Sequence, residues 1–459
     1  MKETRPFSMK DKIGYTLGDL GCCCTEQFRA MYLAIFYTLV LKVNPVHVGI
    51  LMLITKLWDA INDPLIGALV DSHKNKGKGK FIPWIKFFAF PTAVLCILGF
   101  VNVSNFAYGA RIAYMFITYI VYEIMYTCVS VPFGSLSSVM TDDVNQRTDL
   151  SRFRSLGGTI FMTVIVIAGP LFLYKDNQPV PSHFLIMSAI CAVIGLICLM
   201  FTSHWCKERI IAEPVTKEKE KLNYFQVIKD ITKNRALLGV MLSSFIGIVG
   251  AGMINGLNTY LFRDYFGNVA IMAVSGMLSV IWSLIAFVGT KFVAKKFGKK
   301  EWIMYSATFS VVVYAILFFF PLENPMLFII INGICYLGVS GFQVLVWALV
   351  NDAIDYQELQ TGKRNEGIVY SAYTFFRKLA NAVSGSMSSF ALAIAGFQVN
   401  EAVQSEAFSG RLWKTYTGLY VVGYLLAVLV LKFIYPLTKE KTAEMLQNLS
   451  DKRNAATEK

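Results

Sequence analysis

KLWDAINDPLIGALVDSHKNKGKGKFIPW, residues 56–84, places Asp59 and Asp63 in a stretch whose neighbouring residues are largely apolar. Spaced four apart, the two carboxylates share one face of a helix, separated by roughly 40° of rotation and one turn. What that pair does depends on the medium around the helix.

The chain of 459 residues is 55% hydrophobic and only 16% charged, with a mean hydropathy of +0.52. A soluble domain is about a quarter charged, so the composition is that of a membrane protein. Apolar runs of roughly 20 residues, the length that crosses a bilayer, recur along the whole sequence. They lie near 13–41, 46–71, 82–101, 107–133, 154–174 and 183–205, then near 236–262, 269–293, 301–320, 325–351, 367–396 and 412–436. The first run carries Asp19, Glu26 and Arg29 and has no small-residue cleavage site behind it. It is expected to stay as a spanning helix rather than to be removed as a signal.

Basic residues fall on alternate loops. One set holds Lys74, Lys76, Lys78 and Lys80, then Arg147, Arg152 and Arg154, then Lys207 to Lys233, then Lys295, Lys296, Lys299 and Lys300, then Lys363 and Arg364. The opposite loops hold little beyond Lys42, Lys175, Arg263 and Arg411. The positive-inside rule makes the first set and both termini cytoplasmic, in a multi-pass cell-membrane (inner-membrane) protein. Topology therefore explains the net charge of +13, and a nucleic-acid partner has no support because the charge is dispersed over loops.

Of the nine cysteines, eight (Cys22, Cys23, Cys24, Cys96, Cys128, Cys191, Cys198 and Cys335) lie inside predicted helices, where they read as reduced packing residues. Cysteine and histidine spacings match no metal site. Neither a nucleophile constellation nor a Gly-rich phosphate loop is visible, so the chain is expected not to be an enzyme and to need no cofactor. The longest polar interruption runs from Cys206 to Arg235. It divides the sequence into an N-terminal six-helix bundle (1–205), a cytoplasmic middle loop (206–235), a C-terminal six-helix bundle (236–437) and a cytoplasmic tail (438–459). GALVDSHKNKGKGK after the second helix and GTKFVAKKFGKK after the eighth echo one another, as expected of a transporter built from two parallel bundles.

A charge at membrane depth costs at least ~2.5 kcal/mol, and two adjacent anions repel. Asp59 and Asp63 are tolerable there if a cation sits between them or a proton sits on one. The plainer alternative is that neighbouring basic side chains neutralise both and lock the helices together.

Trp58, Asp59, Asn62, Asp63, Pro64, Asp71 and the Gly-Lys-Phe-x-Pro-Trp run from Gly79 to Trp84 resemble the signature of the glycoside-pentoside-hexuronide:cation symporters of the major facilitator superfamily. A second signature, DAIDYQELQTGKRNEGIVYS from Asp352 to Ser371, is followed by Phe376, Arg377, Lys378 and Leu379. The resemblance runs from about Lys10 to Tyr435. It implies an all-α integral membrane protein, with twelve transmembrane helices in two six-helix bundles, that carries a sugar by alternating access driven by Na⁺, H⁺ or Li⁺. A monomer is expected.

Residue by residue, the family's cation site falls on Asp59, Asn62, Asp63 and Thr127, with Na⁺ a candidate at Asp59 and Asp63; hard cations favour such oxygen donors. Lys378 matches the lysine that links cation and sugar sites, and Glu123, one turn before Thr127, is a candidate proton carrier or a packing residue. The melibiose permeases of the family hold sugar with two aspartates, and the matching positions are Cys23 and Ser130. Helix 1 instead gains Arg29 beside Glu26, and helix 11 gains Arg377 beside Lys378. Lost anions and gained cations favour an anionic sugar such as a hexuronide or its glycoside, because an arginine fork matches a carboxylate. A Glu26–Arg29 pair at i,i+3 is the alternative use of those charges.

Trp347, Tyr373 and Thr374 stand at positions where the resemblance implies sugar contacts, with Tyr15, Asp19 and Tyr122 as further candidates. Arg154, Asp355 and Arg364 are candidate members of an inner gate closed by ion pairs between the halves, with Arg147, Arg152, Asp352, Glu358 and Glu366 around them. Neutral glycoside, pentoside or oligosaccharide symport is the second reading. A lysolipid carrier, a sugar sensor and a drug exporter fit the motifs less well.

Overall fold

The computed structural model describes residues 5–72, 79–210, 234–361, 366–401 and 403–457. Among them, twelve long helices are followed by a polar one. They are α1 (Met9–Ile35, continued by a π turn Phe36–Val40), α2 (Pro45–Ser72), α3 (Ile82–Leu98), α4 (Tyr108–Met140), α5 (Val144–Phe172) and α6 (Pro181–Trp205). After the middle segment come α7 (Arg235–Tyr260, with a π turn Leu261–Tyr265), α8 (Ile271–Phe297), α9 (Lys299–Phe319), α10 (Pro325–Thr361), α11 (Glu366–Ala395), α12 (Glu406–Phe433) and α13 (Lys439–Thr457). A two-residue hairpin, Tyr174–Lys175 with Gln178–Pro179, joins α5 to α6.

Seven helices among the described residues are long and apolar enough to cross a membrane: α4, residues 149–172 of α5, α6, α7 with its π turn, α8, α9 and α12. Helices α1 and α2 instead carry ionisable residues at mid-helix, and α3 is shorter, at 17 residues. The chain divides into two compact units. One comprises α1–α6 with the segments Asn268–Val274 and Phe397–Val403; the other comprises α7, most of α8, and α9 to α13.

In the first unit α1 packs on α5 and α6, α3 on α4 and α6, and α2 on α4. Close approach requires small residues: a Cβ on Gly157 of α5 would lie 2.4 Å from the Thr16 carbonyl of α1. The Gly79–Trp84 run has a structural use. Gly79 takes φ +87°, and beyond it the N–H groups of Lys80, Phe81 and Ile82 all donate to the Glu208 carboxylate at 2.6–2.8 Å. Glu208 thus satisfies donors that the first turn of α3 leaves without intrahelical partners. Asp11, fully buried, ties the start of α1 to the end of α6 by accepting from Arg5 at 2.7 Å and Arg209 at 3.0 Å.

In the second unit α7 lies along α11, and α12 packs on α7 and α9. The Asn234 side chain accepts from Leu237 N–H to cap α7 and donates to the Ala353 carbonyl at 2.9 Å. The tail segment carries the polar helix α13, whose Met445 and Leu449 bury in an apolar cluster with Val350, Ile354 and Tyr435. The basic positions 74, 76 and 78, residues 211–233 of the middle loop, and Lys363 and Arg364 lie outside the described residues.

Candidate functional site

On α2, Asp59 and Asp63 do share a face, and each meets a different partner. Thr127 of α4 donates to Asp63 Oδ1 at 3.2 Å. Lys56, one turn before Asp59, places its Nζ 2.9 Å from Asp59 Oδ2. The same ammonium stands 4.0 Å from Glu26 Oε1 of α1 and 4.0 Å from Glu123 Oε1 of α4. Three helices thus converge on one lysine surrounded by three carboxylates. Glu123 is 3% exposed and Asn62 4%. Asp59 Oδ1, Glu26 Oε2 and Asn62 Nδ2 are buried without a hydrogen-bond partner among the described residues. Buried polar atoms are normally paired, so this cluster has vacant oxygen donors and an excess of negative charge.

Arg29, one turn beyond Glu26, does not relieve that excess through an ion pair. Its guanidinium lies over the Tyr122 ring at 3.4 Å and the Tyr119 ring at 4.9 Å. It is 3% exposed, and its three nitrogens make no hydrogen bond among the described residues. The cation–π contacts hold it inside the first unit. The Glu26–Arg29 pair considered from sequence is not the arrangement seen, since Glu26 turns towards Lys56.

Half-buried Cys23 directs its S–H towards Asp19 Oδ2 at 4.0 Å. Asp19 is held further by the Gly158 N–H at 2.9 Å and by Arg154 Nε at 3.0 Å. Arg154 is also over the Phe133 ring, which packs on Tyr15. Ser130 is half-buried on α4.

In the second unit Trp347 of α10 meets Tyr373 of α11 edge to face, with centroids 5.1 Å apart. Arg377, one turn after Tyr373, lies over the Trp347 ring at 5.6 Å. Ser244 of α7 donates to the Tyr373 hydroxyl at 3.4 Å. Thr374 is half-buried beside them, and Lys378 is exposed. Tyr373 is 1% exposed and buttresses Trp347, so the half-buried indole and one guanidinium are the components here that suit a sugar ring and an acidic substituent.

Two expected gate residues have partners in their own units: Arg154 pairs with Asp19, and Asp352 with Lys299 at 2.7 Å. Each of these two has an opposite charge at contact distance on a neighbouring helix of its own bundle. Burial raises the Asp352 carboxyl above its ordinary value, while Lys299 pulls it back down. Asp355 is half-buried, and Arg364 lies outside the described residues.

Sequence reasoning missed Lys56, Lys299 and Glu208. Lys56 had a signal, standing three residues before Asp59 where helical pairs meet. The other two are set by tertiary packing alone.

The sequence profile of the family described as MFS/sugar transport protein matches residues 14–439. The chain is 32% identical to the uncharacterized symporter YjmB of Bacillus subtilis, covering 97% of this chain and 96% of that protein. It is 24% identical to the glucuronide carrier protein homolog of Escherichia coli, over 97% and 96%. It is 27% identical to the isoprimeverose transporter of Lactiplantibacillus pentosus, over 98% and 93%. The fold is similar to that of a bacterial homologue of the lysosomal transporter Spinster, with a TM-score of 0.67, 12% identity and coverage of 97% and 99%. These relatives are named as a symporter, a carrier and transporters, not as enzymes. The chain belongs to the MFS/sugar transport protein family, as a multi-pass integral membrane protein and secondary transporter of small solutes.

Proposed function

We propose that the chain is a cation-coupled sugar symporter of the glycoside-pentoside-hexuronide type. Its twelve spans form two bundles, with both termini cytoplasmic, working by alternating access as a monomer. One observation supports the reading: Thr127 donates to Asp63 Oδ1, while one turn back on the same helix Asp59 Oδ1 is buried without a hydrogen-bond partner among the described residues, and charge within a membrane helix is rarely retained without use. A Na⁺ ion, Li⁺ or a proton bound there offsets that charge. In this reading Lys56 holds Asp59 while the site lacks its ion, and entry of the cation releases the ammonium to Glu26 or Glu123. Lys378 is the proposed link from the cation to the sugar.

The sugar contacts are Trp347, Tyr373, Thr374 and Arg377. Half-buried and lying over an indole, Arg377 is better placed to read an acidic substituent than Arg29, which is 3% exposed over two tyrosine rings. This favours a hexuronide or its glycoside, a class akin to the glucuronide named for one relative. A neutral glycoside or pentoside is the second reading, favoured by the uncharged isoprimeverose named for another relative.

Counterflow of a labelled uronide in proteoliposomes tests the proposal. Uptake should rise when a Na⁺ or proton gradient is imposed inward. Uptake of the same size with no cation gradient of any kind would overturn coupling.

A further inference from the structure

Helices α7, α9, α10 and α12 enclose a cavity of about 310 Å³ within the second unit. That is at the lower end of small-molecule sites, about 300–1,000 Å³. Tyrosine rings of Tyr336, Tyr420 and Tyr424 line it, together with the polar side chains of Ser243, Asn255 and Gln343. Tyr336 and Gln343 are seven residues apart on α10 and Trp347 is four further on, so the cavity wall and Trp347 lie along one helix face. The cavity is thus one turn from the Trp347–Tyr373–Arg377 cluster without being part of it.

Asn255 and Gln343 are exposed side chains on transmembrane helices. An amide turned to lipid would leave its donors and acceptor unpaired, which a bilayer does not tolerate cheaply. The mouth that these two residues mark between α7 and α10 therefore faces an aqueous path.

The lining is held in place by a surrounding layer of hydrogen bonds. Ser283 of α8 and the Tyr336 hydroxyl share a bond of 3.2 Å. The Tyr420 hydroxyl donates to Asn332 at 3.2 Å, and its ring stacks on Tyr314 at 3.7 Å. The Tyr416 hydroxyl donates to Asn258 Oδ1 at 2.8 Å, and Asn258 Nδ2 donates to Asn255 Oδ1 at 3.4 Å. Asn255, which lines the cavity, has two N–H donors and a second lone pair on its oxygen beyond the bond from Asn258.

We propose that this cavity is a subsite for the neutral ring of a sugar. Tyrosine faces take the apolar C–H faces of the ring, and the amides of Asn255 and Gln343 match hydroxyls, which both donate and accept. Arg377, beyond Trp347, reads any acidic substituent. The inference rests on the sugar-transport reading and adds the residues that hold the uncharged part of the substrate.

Gly247 makes a direct test possible. It lines the cavity, and a Cβ there meets nothing within 4 Å, so Gly247→Leu fills the space without displacing backbone. The full chain in nanodiscs is titrated with D-glucuronate, its methyl ester and D-xylose. The expected result is a loss of affinity of about tenfold or more for every probe that the unmodified protein binds, in Gly247→Leu and in each of Asn255→Ala and Gln343→Ala. A thermal unfolding midpoint equal to that of the unmodified protein excludes misfolding; if Gly247→Leu fails that check, the two amide variants decide. Unchanged affinities in folded variants overturn the subsite while leaving the transport reading intact. An unmodified protein that binds none of the three probes overturns both.

Discussion

Lys56 Nζ stands 2.9 Å from Asp59 Oδ2, one turn away on the same helix, so the first carboxylate of the proposed cation site is already paired with a cation of the protein's own. With Glu26 and Glu123 each 4.0 Å from the same ammonium, Lys56 has alternative partners ready when an ion arrives. An ammonium that exchanges partners keeps its own charge paired with a carboxylate in the low-dielectric site both before and after the ion enters.

Replacing that ammonium by a neutral side chain should strengthen cation binding and slow release. Lys56→Gln is expected to raise the apparent affinity for the coupling cation by about tenfold, or about 1.4 kcal/mol, while lowering the maximal rate of uphill transport. The check is a cation titration of sugar binding alongside initial uptake rates. An affinity equal to or weaker than that of the unmodified protein would show that Lys56 does not compete with the ion.

Asp59→Cys and Asp63→Cys should each abolish cation-driven accumulation while leaving sugar exchange measurable, since the carboxylates serve the ion and reach the sugar only through coupling. Accumulation ratios and counterflow, measured on the same vesicles, separate the two effects. Concentrative uptake surviving in both single variants would remove the pair from the cation site.

The Glu208 carboxylate accepts three N–H groups at the start of α3 across 126–128 residues of sequence. Glu208→Ala leaves those donors to water or to nothing, and is expected to cost about 1–3 kcal/mol of stability. A fall in the thermal midpoint with cation affinity unchanged is the expected signature. An unchanged midpoint would show that water replaces the carboxylate fully.

Hydropathy alone located the helices closely, because crossing a bilayer requires an apolar run of fixed length. The largest departures are at α4, which continues to Met140, at α5, which starts at Val144, and at α10, which continues to Thr361. There the backbone ladder runs on into water, where side chains such as Asp352, Asp355 and Glu358 no longer register as membrane. Asp59, Asn62 and Asp63 stood out as candidates because they fall within one motif, and Thr127 because the resemblance pointed to it; the Thr127–Asp63 contact joins two of the four. Arg29 was not legible in the same way. Whether a helix-1 arginine meets a carboxylate, a substrate or two tyrosine rings depends on which face of α4 turns inward, and Tyr119 and Tyr122 look like any other membrane aromatics until the packing is known. The helix within the tail was not legible for a related reason: α13 is polar overall, with Met445 and Leu449 marking the face it buries.

On the proposed reading, Arg377 decides the charge of the substrate. Its guanidinium lies over Trp347 at 5.6 Å, and that ring meets Tyr373 at 5.1 Å, so a sugar stacked against the indole would carry an acidic substituent within reach of the fork. A charge-assisted hydrogen bond in a partly wet site is worth about 1.5–3 kcal/mol, or one to two decades of affinity. A free uronate should therefore compete with labelled substrate about ten to a hundred times better than its methyl ester or the parent neutral sugar. Arg377→Gln should erase that preference and leave neutral glycosides little changed, whereas Arg29→Gln, acting on a group enclosed by Tyr119 and Tyr122, should reduce stability without altering the ratio of acid to ester. Equal inhibition by acid, ester and neutral sugar in the unmodified protein would assign it to the neutral glycoside and pentoside carriers, with Arg377 serving the stack on Trp347 alone.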